Sequence, residues 1–331
     1  MFNSRKSFAI CTLLAATTVV AHEGHHDHSH GENLVVAATG NPAGAFQSKV
    51  TMTEANGVRT IRSNGLPEHA TGQFPGPRNP NRIQEQRYEF RMPLNPQPAS
   101  KPQELKLGKF GVAVNGVPID PGAAEFWRRD FQSPWQYAVI NGKIDLGLDM
   151  NSAHVQPGGE YHYHGRPADL ISRLREQARK ENRSMTLVGY AADGYPIYDC
   201  EVMGSDGKTK TLHASYRLKS GRRPSGNDGP GGRYDGTFIA DWEYAHGKGD
   251  LDEFNGMWGR TSEYPDGTFF YVLTEEFPYV PRKFRGTPDE SFALKGPGGR
   301  GRPGFGPPRG SRPGPPPFGP PPFGPPPATP R

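Results

Sequence analysis

Pro157-Gly158-Gly159 leaves the backbone few choices, and the residues on either side make its geometry matter. Proline presets φ for a turn, and glycine reaches positive φ without a Cβ clash. The run Glu160-Tyr161-His162-Tyr163-His164 follows, and His154-Val155 precedes it. The pattern predicts a hairpin. Alternate side chains of a strand share a face, so His162 and His164 project together while Tyr161 and Tyr163 project oppositely. Two imidazoles ~7 Å apart along a strand can converge on one ion with bonds of ~2.0–2.1 Å. The loop length decides the place of His154. A five-residue loop, Val155–Gly159, sets His154 opposite Glu160 and on the face of His162 and His164. A four-residue loop, Gln156–Gly159, sets it opposite Tyr161 and facing away. The five-residue loop is the expectation, because it explains a third histidine so near the turn. Neutral imidazoles suit zinc or copper. Asp149 or Glu160 would add a carboxylate ligand or orient an imidazole from behind. The alternative is a hydrogen-bonded Tyr/His cluster without an ion.

The rest of the chain repeats short strand signals between glycine turns. Lys49–Thr53 and Val58–Arg62 flank Glu54-Ala55-Asn56-Gly57, and Asn-Gly is a strong hairpin signal. Asn64–Arg82 is a Gly/Pro/Asn-rich excursion containing His69, and Arg87–Met92 alternates as a half-buried strand should. Phe110–Val114 and Val117–Ile119 flank Asn115-Gly116. A helical turn is expected at Ala123–Arg129 and strands at Tyr137–Ile140, Met185–Tyr190, Tyr195–Tyr198, Leu212–Leu218 and Phe269–Leu273. Pro167–Lys180 is the one amphipathic helix, with Leu170, Ile171, Leu174 and Ala178 as its apolar stripe. The expected fold is mainly β: a single domain of many short antiparallel strands with one amphipathic helix and disordered tails.

The motifs together resemble the YHYH domain family, secreted proteins named for the tetrapeptide seen here as Tyr161-His162-Tyr163-His164. The resemblance takes in Ser63–Pro67 with His69, Gly111–Val117, Leu146–Asp149, Val188–Tyr198, Tyr234–Phe238 and Gly249–Glu253, over roughly residues 46–293. It implies a domain and an exported protein, and no defined activity. Similar proteins usually carry Cys where this chain has Phe254, and a second Tyr-His-Tyr where it reads Phe269-Phe270-Tyr271. Ligands or catalytic groups supplied by those positions would be absent here.

The ends differ from the middle. Residues 1–21 read as a secretory signal peptide: Arg5 and Lys6, an apolar run from Phe8 to Val20, then Val19-Val20-Ala21 for cleavage. That run is too short for a comfortable membrane span, and no other approaches spanning length. Residues 22–45 form a His-rich flexible segment in which His22, His25, His26, His28 and His30 suit low-affinity metal capture. Residues 46–294 are the domain. Residues 295–331 are a Pro/Gly/Arg-rich tail expected to be disordered, with local polyproline II, and to act as a linker or a tether to a cell-envelope partner.

The chain's net charge of +5 lies in these ends: without the six basic residues of the tail it is −1, and without Arg5 and Lys6 it is −3. The charge therefore offers no basic face for nucleic acid. Only Cys11 and Cys200 occur, so a chain cleaved after Ala21 cannot close an internal disulfide. No nucleophile–base pair, phosphate loop or zinc-protease helix motif is present, so the sequence names no reaction. Two functions fit: an exported metal-binding domain, with or without metal-assisted chemistry, or a non-catalytic envelope or matrix module with a structural Tyr/His cluster.

Overall fold

Asn56-Gly57 makes the first turn, with both residues at positive φ (52° and 76°) as a two-residue type I′ loop requires. It is shorter than the four residues expected, because Ala55 already pairs with Val58. In this computed structural model residues 40–294 are described, apart from 106, 141, 142 and 205. The expected signal peptide, the His-rich segment as far as residue 39 and the tail from residue 295 lie outside them.

β1 (Val50–Ala55), β2 (Val58–Ser63) and β3 (Tyr88–Pro93) form an antiparallel three-stranded sheet. β3 alternates as expected, burying Phe90 and Met92. Then come β4 (Gln103–Glu104), β5 (Gly111–Ala113), β6 (Pro118–Ile119), β7 (Ala153–Val155) and β8 (Tyr161–Tyr163). After α1 (Ala168–Lys180) follow β9 (Met185–Ala191), β10 (Pro196–Met203), β11 (Thr209–Thr211), β12 (Tyr216–Leu218) and β13 (Trp242–Tyr244). β14 (Gly256–Gly259), β15 (Thr268–Leu273) and β16 (Lys283–Phe284) complete the strands.

The main sheet has nine strands in the order β14-β15-β10-β9-β5-β6-β8-β7, with β11 also paired to β10. Most pairs are antiparallel, but β10–β15 and β6–β8 are parallel. Among the described residues the fold is thus mainly β with one α-helix, as expected, and its main sheet is mixed rather than wholly antiparallel. Tyr137–Ile140 is not a strand; a single bridge joins Tyr137 to Phe238. Leu212–Leu218 breaks after β11, because the backbone N–H groups of His213 and Ala214 donate to the carboxylates of Asp250 and Glu276 instead of a sheet neighbour.

The helix buries the four residues of its stripe and packs on β9. Full burial of Leu170 and Ile171 contributes about 1.5–3 kcal/mol each. Its first turn is capped from outside: the Asn151 side-chain oxygen accepts from the Asp169 N–H at 2.8 Å, satisfying one of the orphan donors at a helix start. Asn151 stands in the loop just before β7, so the helix is anchored to the hairpin. At the sheet edge, the Val155 carbonyl of β7 accepts from Asn79 and Asn81 side chains at 3.0 and 2.7 Å. These two amides cover a strand edge that would otherwise be open to another chain.

Candidate metal centre

The turn after β7 is tighter than the sequence reading. The Gly159 N–H donates to the Gln156 carbonyl at 2.8 Å and the Gln156 N–H to the Glu160 carbonyl at 2.9 Å, with Gly159 at φ +81°. Gln156 thereby faces Glu160 across Pro157–Gly159, and His154 pairs with His162 rather than with Glu160. The register is shifted by two residues from the expectation. Because side chains alternate with period two, a two-residue shift keeps the face. His154 lies on the side of His162 and His164, as the five-residue loop had implied.

The three rings form an equilateral set, each pair of centroids 4.7 Å apart and the planes inclined at 61–85°. One nitrogen of each ring lies within 4.8 Å of the other two. Nε2 of His162 and Nε2 of His164 are 3.0 Å apart. Two ligands at ~2.0–2.1 Å on a tetrahedral ion stand about 3.3 Å apart, so the pair is close to ligand spacing. Backbone carbonyls fix the tautomers. His154 Nδ1–H donates to Leu146 O at 2.9 Å and His162 Nδ1–H to Glu160 O at 3.3 Å. Both rings then present a lone pair at Nε2, as metal-binding histidines held by a carbonyl do. Nδ1 of His164 is buried with no hydrogen-bond partner of good geometry, although the Pro121 carbonyl beside it acts to favour a proton there.

Burial controls the charge of the group. His162 and His164 are 0% and 2% exposed, and desolvation holds both well below the usual histidine range. His154 adds to the depression at His162, and His162 and His154 add to it at His164. His154, half-buried, is also lowered by burial, against the opposing pull of the Leu146 carbonyl. The three are therefore neutral near pH 7, the state in which imidazole ligates.

The two carboxylates do not join them. Asp149 sits on the tyrosine face, where it accepts from Tyr161 Oη–H at 2.8 Å and from the Gly72, Asn151 and Ala153 N–H groups at 3.0, 2.9 and 3.2 Å. Glu160 accepts from the Tyr88 hydroxyl and pairs with Lys109 at 3.2 Å. Neither oxygen set belongs to the converging group. The five histidines of residues 22–30 lie outside the described residues.

The opposite face is a polar network that locks the strand. Tyr163 Oη–H donates to His69 Nε2 at 2.6 Å, which is free to accept because His69 Nδ1–H donates to Ala70 O at 2.7 Å. Asn115 Nδ2–H donates to the same hydroxyl at 2.9 Å. His69 thus ties the 64–82 excursion to β8, a role its isolated position in sequence did not reveal. Sequence reasoning also missed Asp120, Lys109 and Arg282. The Asp120 N–H donates to Tyr163 O at 2.8 Å, and burial pushes its carboxyl up to about 7. Burial lowers Arg282 to about 10; its Nη2 donates to Pro121 O at 2.9 Å and its Nε is buried without a partner.

Phe254 and Phe269 are core residues packed edge to face with ring centroids 6.2 Å apart, and Tyr271 Oη–H donates to Asp193 at 2.6 Å. They lie at the far side of the main sheet from β8 and contribute nothing to the three-histidine group. A family model described as YHYH protein matches residues 89–286, which include both hairpin strands, the helix and the main sheet. No curated protein and no solved structure matches the chain.

Proposed function

This chain belongs to the YHYH protein family, and from that premise we propose that it is an exported metal-binding domain in which His154, His162 and His164 hold zinc or copper through Nε2. The observation that carries the reading is the convergence of three neutral imidazoles, two with Nδ1–H turned to a backbone carbonyl. Lone pairs on His162 and His164 at 3.0 Å repel each other unless a cation stands near both. With three protein ligands, a bound ion would supply Lewis acidity and one exchangeable position. The chain's own residues set its surroundings: the Leu146 and Glu160 carbonyls orient the rings of His154 and His162, and the tyrosine network holds β8 in place.

A second reading has its own support. A single Nε2–H of His164 donating to His162 would account for the 3.0 Å contact and make the cluster a structural element of an envelope or matrix module. It leaves His164 Nδ1 a bare, buried acceptor, which costs about 1–3 kcal/mol. In the metal reading Nδ1 carries the proton, the state that the Pro121 carbonyl favours.

Metal analysis of a chain lacking residues 22–30 separates the two. One equivalent of metal, with stabilisation of about 2.7 kcal/mol when free ion is a hundredfold above its dissociation constant, is the expected result. His154→Ala, His162→Ala and His164→Ala should each remove most of that gain. Metal-free protein whose melting is unchanged by chelation would leave the structural reading. Export is proposed from residues 1–21, and the intact mass of exported protein should begin at His22.

A further inference from the structure

We propose that the open position of the three-histidine site takes a small exogenous anion, a carboxylate or oxyanion, that balances the otherwise uncompensated charge of the ion. The inference rests on the metal reading above and names the ligand class of the same site.

Charge balance leads to it. Three neutral imidazoles bring no negative charge to a divalent ion. Asp149 is engaged on the other face of β8, and Glu160 is held by Tyr88 and Lys109. Asp120 lies on the histidine side by alternation: Ile119 pairs in parallel with Tyr163, so the next residue turns to the face of His162 and His164. Its Oδ1 accepts from the Gly122 N–H at 3.0 Å.

Two cations are tied to the residues whose carbonyls adjoin the rings. Lys109 reaches Glu160, whose carbonyl accepts from His162, and Arg282 donates to Pro121, whose carbonyl adjoins His164. Arg282 is within salt-bridge distance of no carboxylate among the described residues, and its Nε is sealed from solvent without a partner. Glu160 and Asp120 together offset Lys109 and Arg282. The two charges of a bound ion then remain uncompensated beside two fully buried imidazoles, a state too costly to persist without a counter-charge. Protonation of Asp120 would leave the site more positive still. An anion on the ion restores the balance, and no described carboxylate belongs to the converging group of ligand atoms.

The test uses the full chain carrying His22→Ser, His25→Ser, His26→Ser, His28→Ser and His30→Ser, loaded with cobalt(II) and titrated with azide and with formate at pH 8. Visible absorption of the ion reports its coordination directly. A saturable spectral change at millimolar anion is expected. Arg282→Lys should keep the affinity, and Arg282→Gln should weaken it about tenfold. Asp120→Asn, which keeps an oxygen for Gly122, should tighten it by about threefold or more. If Arg282→Gln fails to fold, Asp120→Asn still decides. Cobalt bound through the three histidines with a spectrum indifferent to both anions would overturn the inference while leaving the metal reading intact. A cobalt spectrum unchanged by His162→Ala would overturn the metal reading itself.

Discussion

At the level of single residues, His164 separates the two accounts of the site, because its proton sits on Nδ1 if a cation is held and on Nε2 if the ring only donates to His162. The depressed titration of all three rings has a consequence with a definite sign. Protons compete with metal only below the folded pKa of a ligand, and an ordinary histidine gives way near pH 6.5. Here burial lowers that point, so metal affinity should stay flat from about pH 8 to below about pH 6.5. Nitrogen chemical shifts of the metal-free His162 and His164 rings should stay those of neutral imidazoles at about pH 6. Affinity that falls steeply from about pH 7 downward would show that the rings are not desolvated as described.

The histidine positions were legible in sequence because period-two alternation places side chains without any long-range information. Asp120, Lys109 and Arg282 were not: they reach the site from separate strands and loops, and no spacing rule links them to His162. Asp149 and Glu160 looked like partners by nearness in sequence. Tyr161, Tyr88 and Lys109 occupy them instead.

At the scale of the hairpin, the turn chemistry was readable and its register was not. Asn-Gly and Pro-Gly-Gly mark where the chain reverses. Which residues face each other depends on one hydrogen bond, Gln156 N–H to Glu160 O, that the sequence does not display. The parallel β6–β8 and β10–β15 pairs were equally invisible, since they join strands about 45 and 75 residues apart through topology alone.

The two glycines of the turn make a paired prediction. Gly159 is at φ +81°, and a Cβ there would meet the Gln84 Cβ at 2.6 Å. Gly158 faces open space. Gly159→Ala should cost about 1–3 kcal/mol and impair metal binding with it. Gly158→Ala should be neutral or stabilise by up to about 1 kcal/mol. Equal effects of the two in denaturant unfolding would mean that the turn is not built as described.

For the whole molecule, the histidine face and the tyrosine face of β8 do different work. Tyr163 joins the strand to the 64–82 excursion through His69, Tyr161 does so through Asp149, which also accepts from Gly72 N–H, and Asn151 joins the same hairpin to α1. The centre is therefore assembled by the fold as a whole, and no isolated peptide from 154–165 should reproduce its affinity. The domain closes on Phe292, 3% exposed and stacked on Phe90 at 4.7 Å. Beyond it the sequence offers no periodic apolar face. A chain ending at Leu294 should thus unfold cooperatively with a melting temperature within a few degrees of the full chain. Loss of cooperative unfolding would show that the later residues pack on the domain.

X-ray absorption of the metal-loaded chain without residues 22–30 tests the central claim most directly. Three imidazole nitrogens at ~2.0–2.1 Å, one of them lost in each of His154→Ala, His162→Ala and His164→Ala, are the expected result. An ion bound without imidazole, or one whose coordination is indifferent to all three substitutions, would contradict it.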